Sequence, residues 1–245
     1  MIVLADPSVA AQPVAEGGEP LVDLRAVTGL AVDPRLSDRP GFCLVRAGIA
    51  DRLVAAESRL PPGFRLLVVE GYRNLRGQQS LYEEYRAQLA GRHPGWGPGR
   101  LADETSKFVS PLDVAPHVTG GAVDLTLLGP DGAELDLGTE IDATPAATDD
   151  ATFTDAASIC EQARQNRRLL SAAMRGAGMV NYPSEWWHWS YGDRYWSLLS
   201  SAGQAVYGPV DAPARHGSGP IDPAATGPAR TGAGSAGNQP DEEER

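Results

Sequence analysis

His117-Val118-Thr119-Gly120-Gly121-Ala122-Val123-Asp124-Leu125-Thr126-Leu127 reads as a loop that turns into a strand. Gly120-Gly121 permits backbone conformations closed to other residues, and from Ala122 onward the side chains alternate with the period of a strand. In that strand Asp124 faces away from Val123 and Leu125, which leaves its carboxylate free to meet a cation. Further along stands Glu185-Trp186-Trp187-His188. The two clusters supply two imidazoles, one carboxylate placed as a ligand, and a second carboxylate three residues before a histidine. That is the inventory of a catalytic zinc with three protein ligands and a general base, and it points to metal-assisted hydrolysis.

Scarcity adds weight to this reading. The chain has 4 His, at positions 93, 117, 188 and 216. His93 lies in the loop His93-Pro94-Gly95-Trp96-Gly97-Pro98-Gly99 and reads as an exposed loop residue, while His216 lies in a stretch of Gly, Pro and Ala that is not expected to fold. Glu185 and His188 are i and i+3, so a regular strand would put them on opposite faces. Both reach one metal only if the backbone turns between them. The surrounding aromatics, Trp186, Trp187, Trp189, Tyr191, Tyr195 and Trp196, read as core or pocket wall.

Outward from these clusters the pattern mixes α and β. Apolar residues at helical spacing (Val45, Ile49, Leu53, Ala56) predict a helix over 45–60 ended by Pro61-Pro62-Gly63. The apolar run over 64–73 predicts a buried strand that delivers Tyr72 and Arg73 at its end. Leu81, Tyr85 and Leu89 predict an amphipathic helix over 78–89, and a second long helix is predicted over 158–177. A last strand is predicted over 186–191. After the turn Gly129-Pro130-Asp131-Gly132, residues 135–142 carry the further acids Asp136, Glu140 and Asp142. Short turns and alternating strands predict an α+β fold: a single domain with a central antiparallel sheet and helices packed on one side.

Composition bounds the function. A chain of 245 residues with 42% hydrophobic and 22% charged residues is ordinary for one soluble globular domain. A net charge of −11 without a basic stripe argues against nucleic acid. No run approaches the roughly 20 apolar residues of a membrane span, and the start Met1-Ile2-Val3-Leu4-Ala5-Asp6 has no basic region before an acid, so the expected compartment is the cytoplasm. Cys43 and Cys160 read as separate buried thiols without a role. Residues 1–20 read as a loosely ordered arm, 21–208 as the domain, and 209–245 as a disordered tail. Oligomeric state is not legible in one chain.

These residues resemble the zinc D-alanyl-D-alanine dipeptidases of the VanX type, within the group that includes the D,D-carboxypeptidases of cell-wall metabolism and shares its fold with the hedgehog domain. His117, Gly120, Ala122 and Asp124 fit that family's first motif, and Glu185 with His188 fits its Glu-x-x-His. The resemblance extends to Glu70-Gly71-Tyr72-Arg73, to Gly138-Thr139 with Asp142, and to Asn166-Arg167-Arg168-Leu169-Leu170, covering about residues 20 to 208. It implies one zinc per chain ligated by His117, Asp124 and His188, with Glu185 as the base that takes a proton from water. It implies Arg73 as the cation that stabilises the oxyanion, and Asp142 and Tyr72 as substrate-binding residues, with Asp142 reading the free ammonium of a small dipeptide. From the residues alone, Arg73 fits a structural ion pair equally well, and Asp142 fits one of several solvated acids.

The chain departs from the family pattern at Ala115, commonly Ser, and at Asn74, often Pro. A D,D-carboxypeptidase acting on peptidoglycan peptides is the nearest rival reading, but it would need an open cleft and export. A non-catalytic hedgehog-like zinc domain is the other, and it would have no use for Glu185 or Arg73.

Overall fold

The computed structural model describes residues 1–211, so the expected tail lies outside the described residues from 212 onward. In chain order the elements are α1 (Pro7–Ala10), β1 (Leu21–Asp23), β2 (Ala31–Val32), β3 (Leu44–Arg46), α2 (Ala47–Glu57), β4 (Arg65–Glu70), α3 (Leu75–Arg92), α4 (Pro98–Ser106), β5 (Ala122–Leu128), α5 (Pro145–Thr148), α6 (Glu161–Gly176), β6 (Val180–Asn181), β7 (His188–Ser190) and α7 (Arg194–Ser200). The fold is α+β, as the sequence predicts. No helix among the described residues is long and apolar enough to cross a membrane.

The main sheet runs β2-β4-β5-β7-β6, and β1 pairs with β3 in a separate ribbon. The sheet is antiparallel except at its edge, where β2 pairs parallel with β4 through Ala31–Leu67 and Val32–Val68. The predicted alternation along β5 is realised: Val123, Leu125 and Leu127 are fully buried on the face covered by α2 and α6. Ile49, Leu53 and Ala56 from α2, and Leu170, Ala173 and Met174 from α6, fill that core. Helices do not keep to this side alone. Gln78 and Leu81 of α3, with Val109 after α4, line a cleft on the other face.

The predicted first helix begins at Ala47, because Leu44–Arg46 pairs as a strand with β1 instead. Asn74, where the family often has Pro, accepts a 2.7 Å hydrogen bond from the Gly77 N–H and so caps α3. The two cysteines are free, as expected, but Cys160 is exposed rather than buried; it caps α6, its sulfur accepting from Ala163 N at 3.4 Å.

The arm expected over 1–20 is docked. Asp6 caps α1, Val9 is fully buried, and Leu4 and Val9 pack with Val114, Tyr182 and Tyr195. Arg46, itself buried, donates to Glu19 O at 2.6 Å and pairs with Glu16 at 3.0 Å. At the far end, Val210 N donates to Val118 O at 2.9 Å, so the ordered chain passes the boundary expected at 208.

Candidate metal centre and its cleft

Register places the site. Across the sheet Glu70 on β4 pairs with Asp124 on β5, which pairs with His188 on β7, so three polar residues form one row on the face away from the core. His117 joins them from the 3₁₀ turn His117–Thr119, which Gly120 ends in a left-handed conformation at φ 69°. The left-handed backbone favours glycine there, and a Cβ at Gly120 would also lie 2.4 Å from Leu21 Cδ2, which would have to move.

The donor atoms converge. His117 Nε2 lies 3.1 Å from His188 Nδ1, and Asp124 reaches His188 Nδ1 at 2.9 Å and His117 Nε2 at 3.3 Å. All three residues are buried, and their ligand atoms lie within 4.8 Å of one another. His117 Nδ1 donates to Gly71 O at 2.7 Å, which leaves the Nε2 lone pair directed at the cluster, the orientation a metal-ligating imidazole needs. Two imidazoles and one carboxylate, gathered out of water with one tautomer fixed, fit a divalent cation and suit zinc.

Charge follows the same geometry. Burial opposes ionisation of Asp124, yet the imidazoles of His117 and His188 hold its carboxyl far below the ordinary carboxylate range. Burial likewise opposes a charge on His117, and Asp124 overrides it so that its pKa rises. At Glu185 burial, then Asp124 and Asp142, outweigh the attraction of Arg73 and push it well above the usual range.

The backbone turn that a shared metal requires is present. Glu185 N donates to Tyr182 O at 2.9 Å, and His188 N donates to Glu185 O at 3.1 Å. Asn181 Nδ2 locks the turn by donating to Glu185 O at 3.1 Å and His188 O at 2.9 Å. The last strand therefore starts at His188, later than predicted, and Glu185 stands before it with its carboxylate 4.0 Å from His188 Nδ1.

Arg73, Asp142, Glu185, His117, Asp124 and His188 line one cleft. Arg73 is gripped by Glu70 at 2.9 and 2.6 Å and by Gln78 Oε1 at 2.9 Å, and Gln78 in turn donates to Ser110 O at 2.8 Å. Burial works against the Glu70 charge, and Arg73 more than offsets it. Glu70 was not singled out as a site residue; an acid ending an apolar strand three residues before an arginine was the available signal.

Asp142 stands at the exposed rim of the cleft with φ 65°. Enclosure by the surrounding protein, then Asp124 and Glu70, raise its carboxyl to about 6. Its loop is pinned by Asn166 and Arg167, which the sequence matched without a role, and by the wall residue Trp186. Arg167 Nε donates to Leu137 O at 2.7 Å, Asn166 to Asp136 O at 2.8 Å, and Trp186 Nε1 to Thr139 Oγ1 at 2.8 Å.

Tyr72 does not belong to the cleft. It is 2% exposed, lies against Gly41, and its hydroxyl donates to Val210 O at 2.8 Å. It lines instead a neighbouring pocket with Arg39, Glu70 and Asn74, on another side of Arg73. The aromatics are wall and core as predicted: Trp186, Trp187 and Trp189 are all at most 2% exposed, and Trp187 also lines the cleft.

A family profile described as D-ala-D-ala dipeptidase matches residues 22–202. A D-alanyl-D-alanine dipeptidase of Synechocystis is 30% identical over 214 residues, covering 76% of this chain and 87% of that protein. A D-alanyl-D-alanine dipeptidase of Escherichia coli is 29% identical over 127 residues, 51% of this chain and 54% of that protein. Among solved structures, the LD-carboxypeptidase LdcB aligns at 16% identity with a TM-score of 0.44, over 78% of this chain and 76% of that one.

Proposed function

Because the chain belongs to the D-ala-D-ala dipeptidase family and is a metallopeptidase, we propose that it hydrolyses D-alanyl-D-alanine, or a close D-amino-acid dipeptide, to free amino acids. His117, Asp124 and His188 would hold one zinc per chain. When bound, zinc supplies Lewis-acid activation of the water and the scissile carbonyl. The observation that carries this reading is the convergence of three buried ligand atoms with a second carboxylate, that of Glu185, 4.0 Å from His188 Nδ1.

Glu185 acts as the base. Its carboxylate stands 4.0 Å from His188 Nδ1, beside the ligand cluster, where it can take a proton from water and pass it to the leaving amine. Arg73 cannot drift, since Glu70 and Gln78 fix its plane, and each of its terminal nitrogens retains an N–H for an oxyanion, a contact worth about 3 to 4 kcal/mol in comparable sites. Asp142 at the rim pairs with the substrate ammonium. Ala115 lines the cleft where the family commonly has a hydroxyl, which removes one polar contact to the substrate and leaves the ligands and base intact.

The test is release of D-alanine by the zinc-loaded protein from D-Ala-D-Ala beside its N-acetylated form. The expected result is a strong preference for the free dipeptide, with the acetylated form cleaved at a small fraction of its rate. Equal cleavage of both would make the protein a carboxypeptidase, and cleavage of neither would refute the assignment.

A further inference from the structure

We propose that the amino-terminal arm is a wall of the active-site cleft, and that Leu4 on it restricts the length of peptide admitted. The observation is one of placement: Leu4 lines the cleft together with Arg73, Asp124, Asp142, Glu185 and Trp187, and is only 4% exposed. It lies before the span, 22–202, that matches the family profile.

The arm is built to stay there. Leu4 packs with Val9, Val114, Tyr182 and Tyr195, and Tyr182 also belongs to the turn that presents Glu185. Tyr195 donates through its hydroxyl to Ile2 O at 3.3 Å, Arg194 Nη1 to Ala10 O at 2.7 Å, and Ser197 Oγ to Gln12 Oε1 at 3.0 Å. Behind these, Ala15 N donates to Ala205 O at 2.8 Å and Gly17 N to Val206 O at 2.9 Å. An isobutyl group held from both sides can neither ligate metal nor move a proton. Its effect on the cleft is to occupy volume that a longer or acylated peptide would need.

This inference rests on the peptidase reading of the same site, and its test separates the two. In the full chain, Leu4→Ala and Leu4→Trp are compared with the parent on D-Ala-D-Ala, N-acetyl-D-Ala-D-Ala and Gly-D-Ala-D-Ala. Apolar pocket contacts discriminate by roughly ten- to a hundredfold per group. Leu4→Ala should therefore raise the kcat/KM ratio of either blocked peptide to the free dipeptide by about tenfold, and Leu4→Trp should lower it. Misfolding would not move the two variants in opposite directions. Ratios unchanged in both variants overturn the wall. If no peptide is cleaved even by the parent, the dipeptidase reading fails and the wall is judged by the rate at which dipicolinate strips zinc. Faster loss from Leu4→Ala and slower loss from Leu4→Trp then support it, and equal rates overturn it.

Discussion

The two faces of β5 are buried to the same degree and serve opposite ends. On one, Val123, Leu125 and Leu127 are 0% exposed against α2 and α6; on the other, Asp124 is 3% and Thr126 1% exposed. The apolar face is stabilised by removal from water, whereas the polar face loses hydration that it must recover from specific partners. Asp124 recovers it from two imidazoles and Glu70 from Arg73. Glu185, whose carboxylate comes only within 4.0 Å of His188, is compensated only in part, by Arg73, and is raised well above its ordinary pKa. Burial therefore does not distinguish core from site in this protein; compensation of charge does, and a group compensated only in part is a candidate for chemistry.

The largest break of this contrast is on the polar side. Glu185→Ala should lower kcat by about 10²- to 10⁴-fold, the usual share of a positioned base. Zinc content, measured by elemental analysis of the purified protein, should stay at one per chain. Metal lost in proportion to activity would make Glu185 a ligand instead. On the apolar side, Leu125→Ala should cost about 2 to 5 kcal/mol of stability in denaturant unfolding, as a truncated core leucine does. Activity per folded molecule should hardly change. A collapse of kcat in fully folded Leu125→Ala would show that the two faces are not separable.

The contrast also explains what was legible in the sequence. Alternation along β5, with glycines before it, predicted which side Asp124 takes, since a period of two admits only one answer. Glu-x-x-His predicted its own turn, because no regular strand could aim both residues at one metal. Three features escaped for physical reasons. The parallel edge strand is two residues long, too short for any pattern. The arm offers only Leu4 and Val9 to bury, and its partners, Arg194 and Tyr195, lie at the far end of the chain, so composition alone reads as unfolded. Tyr72, which the resemblance places in the site, is held out of the cleft by Gly41 and Val210, partners distant in sequence.

A smaller effect sharpens the account of the rim. Asp142 must be ionised to bind an ammonium, and its carboxyl is raised to about 6. The KM for the free dipeptide should therefore fall as pH rises through about 6 and level off above it. Because the folded pKa lies above the unfolded one, the ionised carboxylate opposes folding at neutral pH, and that opposition disappears as pH falls below about 6. Asp142→Asn should flatten the acid limb of KM while leaving the thermal midpoint at pH 7 equal or higher. A limb that survives in Asp142→Asn would move the ammonium contact to another group.

The smallest effect is at Thr126, where the polar face carries a group with no evident duty. Its Oγ1 is buried without a hydrogen-bond partner among the described residues, and it faces Leu67 across the sheet. A desolvated, unpaired hydroxyl weakens the folded state, and valine keeps the branched shape that a strand favours. Thr126→Val should raise stability by about 1 kcal/mol in denaturant unfolding, with kcat and zinc content unchanged. The outcome decides what the polar face is. A gain would confine its function to the compensated row of Glu70, Asp124 and His188 with Glu185 beside it. A loss would mean that the hydroxyl is held in place and that the network behind Asp124 extends two residues further along β5.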